Sequence, residues 1–307
     1  DRFSWVPPRS GRINGCVRVV DDHIALDDRA FFTFNVSGDI RVVFAYDASI
    51  RSRDPFYYLR YAVDPLRDRH LYGIGTVSVP LDRLSTETLR DANIVFIALD
   101  GRLPAAAAVP LKNFIDNGGA VITLPRTGAA RPDYSEWCAA SGFKVVNPYR
   151  EPQRRDGVGL HFNPPLAEFN DLLQLDLLRW HYLMKLLPGS RGKVLAETGG
   201  MAVMVEQPFG RGRWIALGFD LRREFTNWPT LKSFPVMVSA LVNYAAGNRE
   251  LTVFRNCGEK IELEGAKITF QELGGRSGEL PAPNGHAVWS ESWWPGIVTF
   301  SGDGLDA

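Results

Sequence analysis

The residues best suited to chemistry gather behind two apolar runs, Arg41–Asp47 (RVVFAYD) and Asn93–Asp100 (NIVFIALD). Each run ends on a carboxylate. The first continues as Asp47-Ala48-Ser49-Ile50-Arg51-Ser52, which alternates oxygen-bearing side chains. A hard cation takes carboxylate and hydroxyl ligands, so Asp47 and Ser49 could begin such a site. Arg51 then puts a positive charge where a third oxygen belongs, and metal binding is not expected. Ser49, Ser52 and Thr127 are also candidate nucleophiles, but a hydroxyl is inert at neutral pH without an adjacent base. No histidine falls at the end of an apolar run in this region, and His181 reads as a satisfied core or surface residue. Gly210-Arg211-Gly212-Arg213 could cradle an anion; lying between two strand-like segments, it reads better as a hairpin turn. Trp289, Trp293 and Trp294 could form a sugar platform, and packing is the simpler reading.

The elements that must position these groups can be read from periodicity. Short runs rich in Val, Ile and Phe suit strands buried on both faces, as in a parallel sheet covered by helices. Ligands of such sheets sit at the carboxyl ends of the strands. Asp54-Pro55 opens a helix carrying Phe56, Leu59 and Val63 on one face, and Asp64-Pro65 closes it. Tyr72–Val79 is a second strand, and Ser85 caps a helix through Ala92. Pro104–Asn117 is a helix stopped by Gly118-Gly119, followed by the strand Ala120–Leu124. Tyr134–Ser141 reads as helix and Phe143–Val146 as strand. Trp180, Tyr182, Met184 and Leu186 alternate as in a strand. Lys193–Glu197, Met201–Glu206 and Trp214–Gly218 form a meander, and a last helix buries Met237, Leu241 and Tyr244 before Gly247. Residues 1–37 and 249–307 are β in character. The expectation is an α/β unit over 38–248, built as a doubly wound sheet, with the two flanks joining in a small β-sandwich-like unit.

Bulk properties narrow the function. The chain has 307 residues, and Lys plus Arg balances Asp plus Glu at 35 each. Neutrality gives no reason to expect nucleic acid or an acidic membrane surface as a partner. No apolar run reaches the about 20 residues that cross a bilayer. No signal-peptide pattern opens the sequence, which fits a cytosolic protein or a soluble piece of a longer one. Three scattered cysteines (Cys16, Cys138, Cys257) and five scattered histidines show neither disulfide nor zinc spacing. No cofactor is expected.

Two resemblances follow from these motifs. Asp47-Ala48-Ser49 is similar to the start of the D-x-S-x-S metal loop of von Willebrand A domains, and Asp100-Gly101 to a later motif of that fold. Arg51 and the short separation of the two motifs depart from it. A broader resemblance covers most of the chain. Residues 13–46, Asp54–Pro65 (DPFYYLRYAVDP), Leu111–Leu124 (LKNFIDNGGAVITL) and Gly210–Gly247 together resemble the large membrane-anchored, BatA-like proteins of bacterial Bat (aerotolerance) operons. That resemblance implies a flavodoxin-like domain of the class I glutamine amidotransferase type, flanked by β structure and by transmembrane helices outside this sequence. It also implies an extracytoplasmic location and partners among other Bat proteins and a MoxR-type ATPase.

Amidotransferases of this class use a Cys on a strand-to-helix elbow and a His followed two residues later by Glu. The matching positions here hold Pro125, then Asp220 and Arg222. Proline is no nucleophile, and a carboxylate is a poor base near neutral pH unless its pKa is strongly raised. Cys138, beyond the elbow, reads as a buried helix residue. The sequence therefore suggests a non-catalytic domain whose strand-end cleft, formed by Asp47, Ser49, Arg51, Asp100, Arg126 and Asp220, is free for a small polar ligand or a peptide terminus. The rival readings are a hydrolase with a relocated nucleophile, such as Ser49 or Thr127, and a metal-dependent adhesion domain.

Overall fold

A computed structural model describes residues 11–18, 29–36, 39–47, 55–65, 73–99, 101–126, 131–140, 147–153, 159–167, 169–172, 175–247, 257–265, 267–273, 275–290 and 296–302. The chain divides into two compact units, Asp39–Gly247 and the two flanks Asp1–Gly38 with Asn248–Ala307. The first flank contributes one antiparallel pair, β1 (Gly11–Arg18) with β2 (Arg29–Val36).

The larger unit begins with β3 (Ile40–Tyr46), the helix Tyr57–Val63, β4 (Ile74–Pro80) and β5 (Ile94–Leu99). The helix Ala105–Asp116, β6 (Ala120–Pro125) and the short helix Ser135–Ala140 follow. Next come β7 (Tyr149–Gln153), β8 (His161–Phe162), β9 (Leu183–Leu186), β10 (Lys193–Thr198), β11 (Met201–Phe209) and β12 (Gly212–Leu217). The helix Ser233–Ala245 closes the unit.

Eight of these strands form one mixed sheet in the order β4-β3-β5-β6-β12-β11-β10-β8. The first five run parallel, and the other three join antiparallel. Among the parallel strands the order is 2-1-3-4-5, so the winding reverses between β3 and β5. Successive side chains of a strand point to opposite faces, and here both faces are covered. Val42, Phe44, Ile94, Phe96, Ile122 and Leu124 pack with Leu59, Val63, Phe234 and Met237 on one side. Val43, Ala45, Val95, Ile97 and Val121 pack with Leu111, Ile115 and Trp137 on the other. Every residue of β5 and β6 is buried. That explains why these segments read as continuous apolar runs rather than alternating ones.

Glycine turns hold the frame. Gly118 takes a positive φ of 96°, and the N–H groups of Gly118 and Gly119 return to the carbonyls of Ile115 and Phe114 at 3.0 and 3.1 Å. This ends the Ala105–Asp116 helix in a Schellman motif. Gly210-Arg211 is the hairpin turn between β11 and β12, as its composition predicts. Arg211 Nε donates to the Asp116 carbonyl at 2.9 Å, so its charge faces that helix's C-terminus.

One predicted helix does not form. Residues 86–91 are turns rather than the helix expected through Ala92. The cap is made, since Ser85 Oγ accepts from the Thr88 amide at 3.3 Å and Thr88 Oγ1 from the Ser85 amide at 3.0 Å. A cap is worth about 1 kcal/mol, while a short helix depends on burying an apolar face. Leu89 is the one buried residue between 86 and 92, so the helix has no such face to bury. The expected strand Phe143–Val146 lies outside the described residues.

The second flank carries β13 (Ile261–Glu264), β14 (Ile268–Glu272), β15 (Ser277–Leu280), β16 (His286–Trp289) and β17 (Val298–Gly302). They form a β13-β16 pair and a β15-β14-β17 sheet. Leu263, Ile268 and Ala287 make a small core across the two, with Phe300 packed against it. Trp289 is buried, its ring 4.6 Å from that of Phe270, so it is a packing residue. The β15 sequence, Ser-Gly-Glu-Leu, is polar and shows no alternation, so its place in the sheet comes from pairing with β14 rather than from a local pattern.

Candidate functional site

The carboxyl ends of β3, β6 and β12 bring three of the expected cleft residues together. Asp47 follows β3 and is half-buried, Arg126 follows β6, and Asp220 lies just past β12. The latter two are each 2 % exposed. Ser49, Arg51 and Asp100, with Ser52 and Thr127, lie outside the described residues.

The three connect through guanidinium groups. Arg126 Nη1 donates to the Asp47 backbone carbonyl at 3.4 Å, linking the ends of β3 and β6. Arg222 Nη2 donates to the Arg126 carbonyl, linking the end of β6 to the segment after β12. Arg222 also grips Asp220: its amide donates to Oδ1 at 2.9 Å and its Nε to Oδ2 at 2.8 Å. The guanidinium carbon of Arg222 lies 4.9 Å from the Phe225 ring centre, a cation–π contact. Arg222 was the member of this cluster that the sequence reading left out of the cleft. Its signal was the Asp-x-Arg spacing straight after a strand, which lets the side chain fold back onto the carboxylate.

Local backbone explains the placement. Pro125 is the last residue of β6, pairs with Leu99, and is buried. The Arg126 amide resumes the ladder by donating to the Leu99 carbonyl at 3.1 Å. Beyond β12, Gly218 donates to the Val203 carbonyl and accepts from the Met184 amide, at 2.7 and 2.6 Å. A Cβ at Gly218 would collide with the Met184 carbonyl. The Phe219 ring packs against that of Trp180, centroids 4.8 Å apart and planes tilted by 39°, and this anchor sets Asp220 at the strand end.

The electrostatics follow from burial. Removal from water pushes the Asp220 carboxyl above its ordinary range, and Arg222 only partly offsets this. Cys138, on the Ser135–Ala140 helix, is pushed up to about 11, chiefly by burial and further by the Asp133 charge. Its thiol therefore stays protonated at neutral pH, the opposite of an activated nucleophile. His181 is exposed, and its backbone amide donates to the Phe225 carbonyl. Among the described residues no three His, Cys, Asp or Glu side chains gather as a metal site. The described cluster is thus an internal brace that ties together the backbone at three strand ends.

No family model matches the chain, and no curated protein matches it in sequence. Solved structures of similar architecture include Cytoplasmic Protein STM3548 from Salmonella typhimurium. It has a TM-score of 0.51 at 9% identity, over 67% of this chain and 99% of that one. Cytoplasmic Protein STM1381 from Salmonella typhimurium LT2 gives 0.47 at 12% identity, over 77% and 96%. A ThuA-like protein from Bacteroides uniformis gives 0.46 at 10%, over 67% and 91%. The first likeness shows a shared fold, a mixed α/β architecture around one large sheet.

Proposed function

We propose that Asp39–Gly247 is an amidotransferase-like domain without catalytic activity, acting as a scaffold or protein-interaction module. The observation that carries this reading is the occupancy of two strand ends. Pro125 closes β6, where this kind of domain would hold its thiol, and Asp220, braced by Arg222, stands where it would hold its imidazole. The 2-1-3-4-5 order supports a flavodoxin-like sheet of the amidotransferase type. The order of sequence motifs supports a BatA-like, membrane-anchored protein. On that reading the domain lies outside the cytoplasmic membrane and works with other Bat-type proteins and a MoxR-type ATPase.

Treatment with a fluorophosphonate and with a chloroacetamide at neutral pH tests the inert reading. We expect no stoichiometric labelling of serine or threonine, and Cys138 to react far more slowly than the exposed Cys16 and Cys257. Labelling at Ser49 or Thr127 would replace this reading with the hydrolase. Location is tested separately, by protease accessibility of the full-length gene product in spheroplasts. Protection of the domain there would exclude the extracytoplasmic assignment.

A further inference from the structure

We infer that β4 is a self-association edge, through which two copies of this chain join their sheets antiparallel. Among the described residues β4 has one strand neighbour, β3, and ends the eight-stranded sheet. The direction of its free backbone groups follows from the ladder. Ile40 pairs with Ile74, and its amide donates to the Gly73 carbonyl at 2.7 Å. In a parallel ladder that phase turns Gly75, Val77 and Val79 toward β3. The N–H and C=O groups of Ile74, Thr76 and Ser78 therefore point outward.

Sheet proteins usually blunt such an edge with charge, proline or a bulge. Ile74–Pro80 (IGTVSVP) contains no ionisable side chain, and its pairing with β3 runs unbroken. Pro80 is in the outward phase, so its missing N–H limits the open edge to the three residues before it.

A second copy is the occupant this edge fits. A two-fold axis at Thr76 sets Thr76 opposite Thr76 and Ile74 opposite Ser78, each in the hydrogen-bonded phase. No charge opposes a like charge in that pairing, and none is present to select a charged foreign strand. The two-fold also keeps equivalent faces together. Thr76 Oγ1 donates to Asp64 Oδ2 at 3.2 Å at the end of the Tyr57–Val63 helix. Both copies of that helix then lie on one face of the joined sheet. Each brings Tyr57 and Tyr61, 53% and 45% exposed, with rings 5.1 Å apart.

Sedimentation of the whole chain across a wide concentration range, paired with amide exchange, tests the inference. A monomer–dimer equilibrium is expected, with exchange at Ile74, Thr76 and Ser78 slowing as the dimer forms. Ser78→Pro removes an outward N–H without touching the ladder to β3 and should weaken the dimer about 30-fold. Ser78→Ala, which keeps that N–H, should associate as wild type does. A chain that stays monomeric throughout overturns the proposal and leaves the edge to a strand of another protein. A dimer that leaves exchange at these amides unchanged also overturns it, as does one that Ser78→Pro does not weaken. The exchange measurement on wild type decides the matter even if that variant folds poorly.

Discussion

Asp220 holds a carboxylate almost wholly removed from water while Arg222 donates to both of its oxygens. Burial has the larger effect, so the folded carboxyl titrates above its unfolded value. Its contribution to stability is then complete below about pH 4, the unfolded value, and is lost as pH rises through the folded one. Asp220→Asn cannot ionise, so it should gain on wild type in urea unfolding as pH rises from about 3 to about 7. A gap moving the other way would mean that attraction to Arg222 outweighs the desolvation. Asp220→Ala is a different perturbation. It leaves the Arg222 guanidinium, 14% exposed, with the exposed Glu224 carboxylate 3.9 Å away as its remaining counter-ion, and should cost on the order of 3 kcal/mol.

Among the elements, β12 shows how close approach selects a residue. A methyl at Gly212 would collide with the backbone carbonyls of Gly119 and Ile115, where β12 runs in beside β6 and the helix Ala105–Asp116. Neither neighbour is a flexible side-chain end. Gly212→Ala should therefore destabilise by about 2 kcal/mol or more, read as a lower urea midpoint at unchanged slope. Gly118→Ala disturbs only the left-handed cap and should cost about 1 kcal/mol. The stretch 86–91 gives the converse lesson. Its capping hydrogen bonds are visible in the sequence and present in the structure, yet a cap cannot extend a helix that has no apolar face to bury.

For the whole molecule, the separate cores predict separate stability. The large unit buries both faces of its sheet within Asp39–Gly247, and the core at Leu263, Ile268 and Ala287 belongs to the other unit. Residues 39–247 expressed alone should unfold cooperatively with native-like tertiary circular dichroism. A molten fragment would show that the β flanks are required for the large unit to fold.

Local pattern was enough to mark most of the large sheet's strands and the helices that cover it. Continuous apolar runs, helix-stopping glycines and the stripe Met237, Leu241, Tyr244 are short-range signals, written within a few residues. The same signals put Asp47, Arg126 and Asp220 at strand ends. Tertiary structure alone decided that these ends meet, and that two guanidinium groups tie them together. The Arg222 contact to the Arg126 carbonyl joins residues 96 positions apart. It exists because β12 pairs with β6 rather than with another strand. Side-chain periodicity fixes which face of a strand is buried, but it is the same for any neighbour. Strand adjacency is set by how the whole set of helices and strands can cover one another.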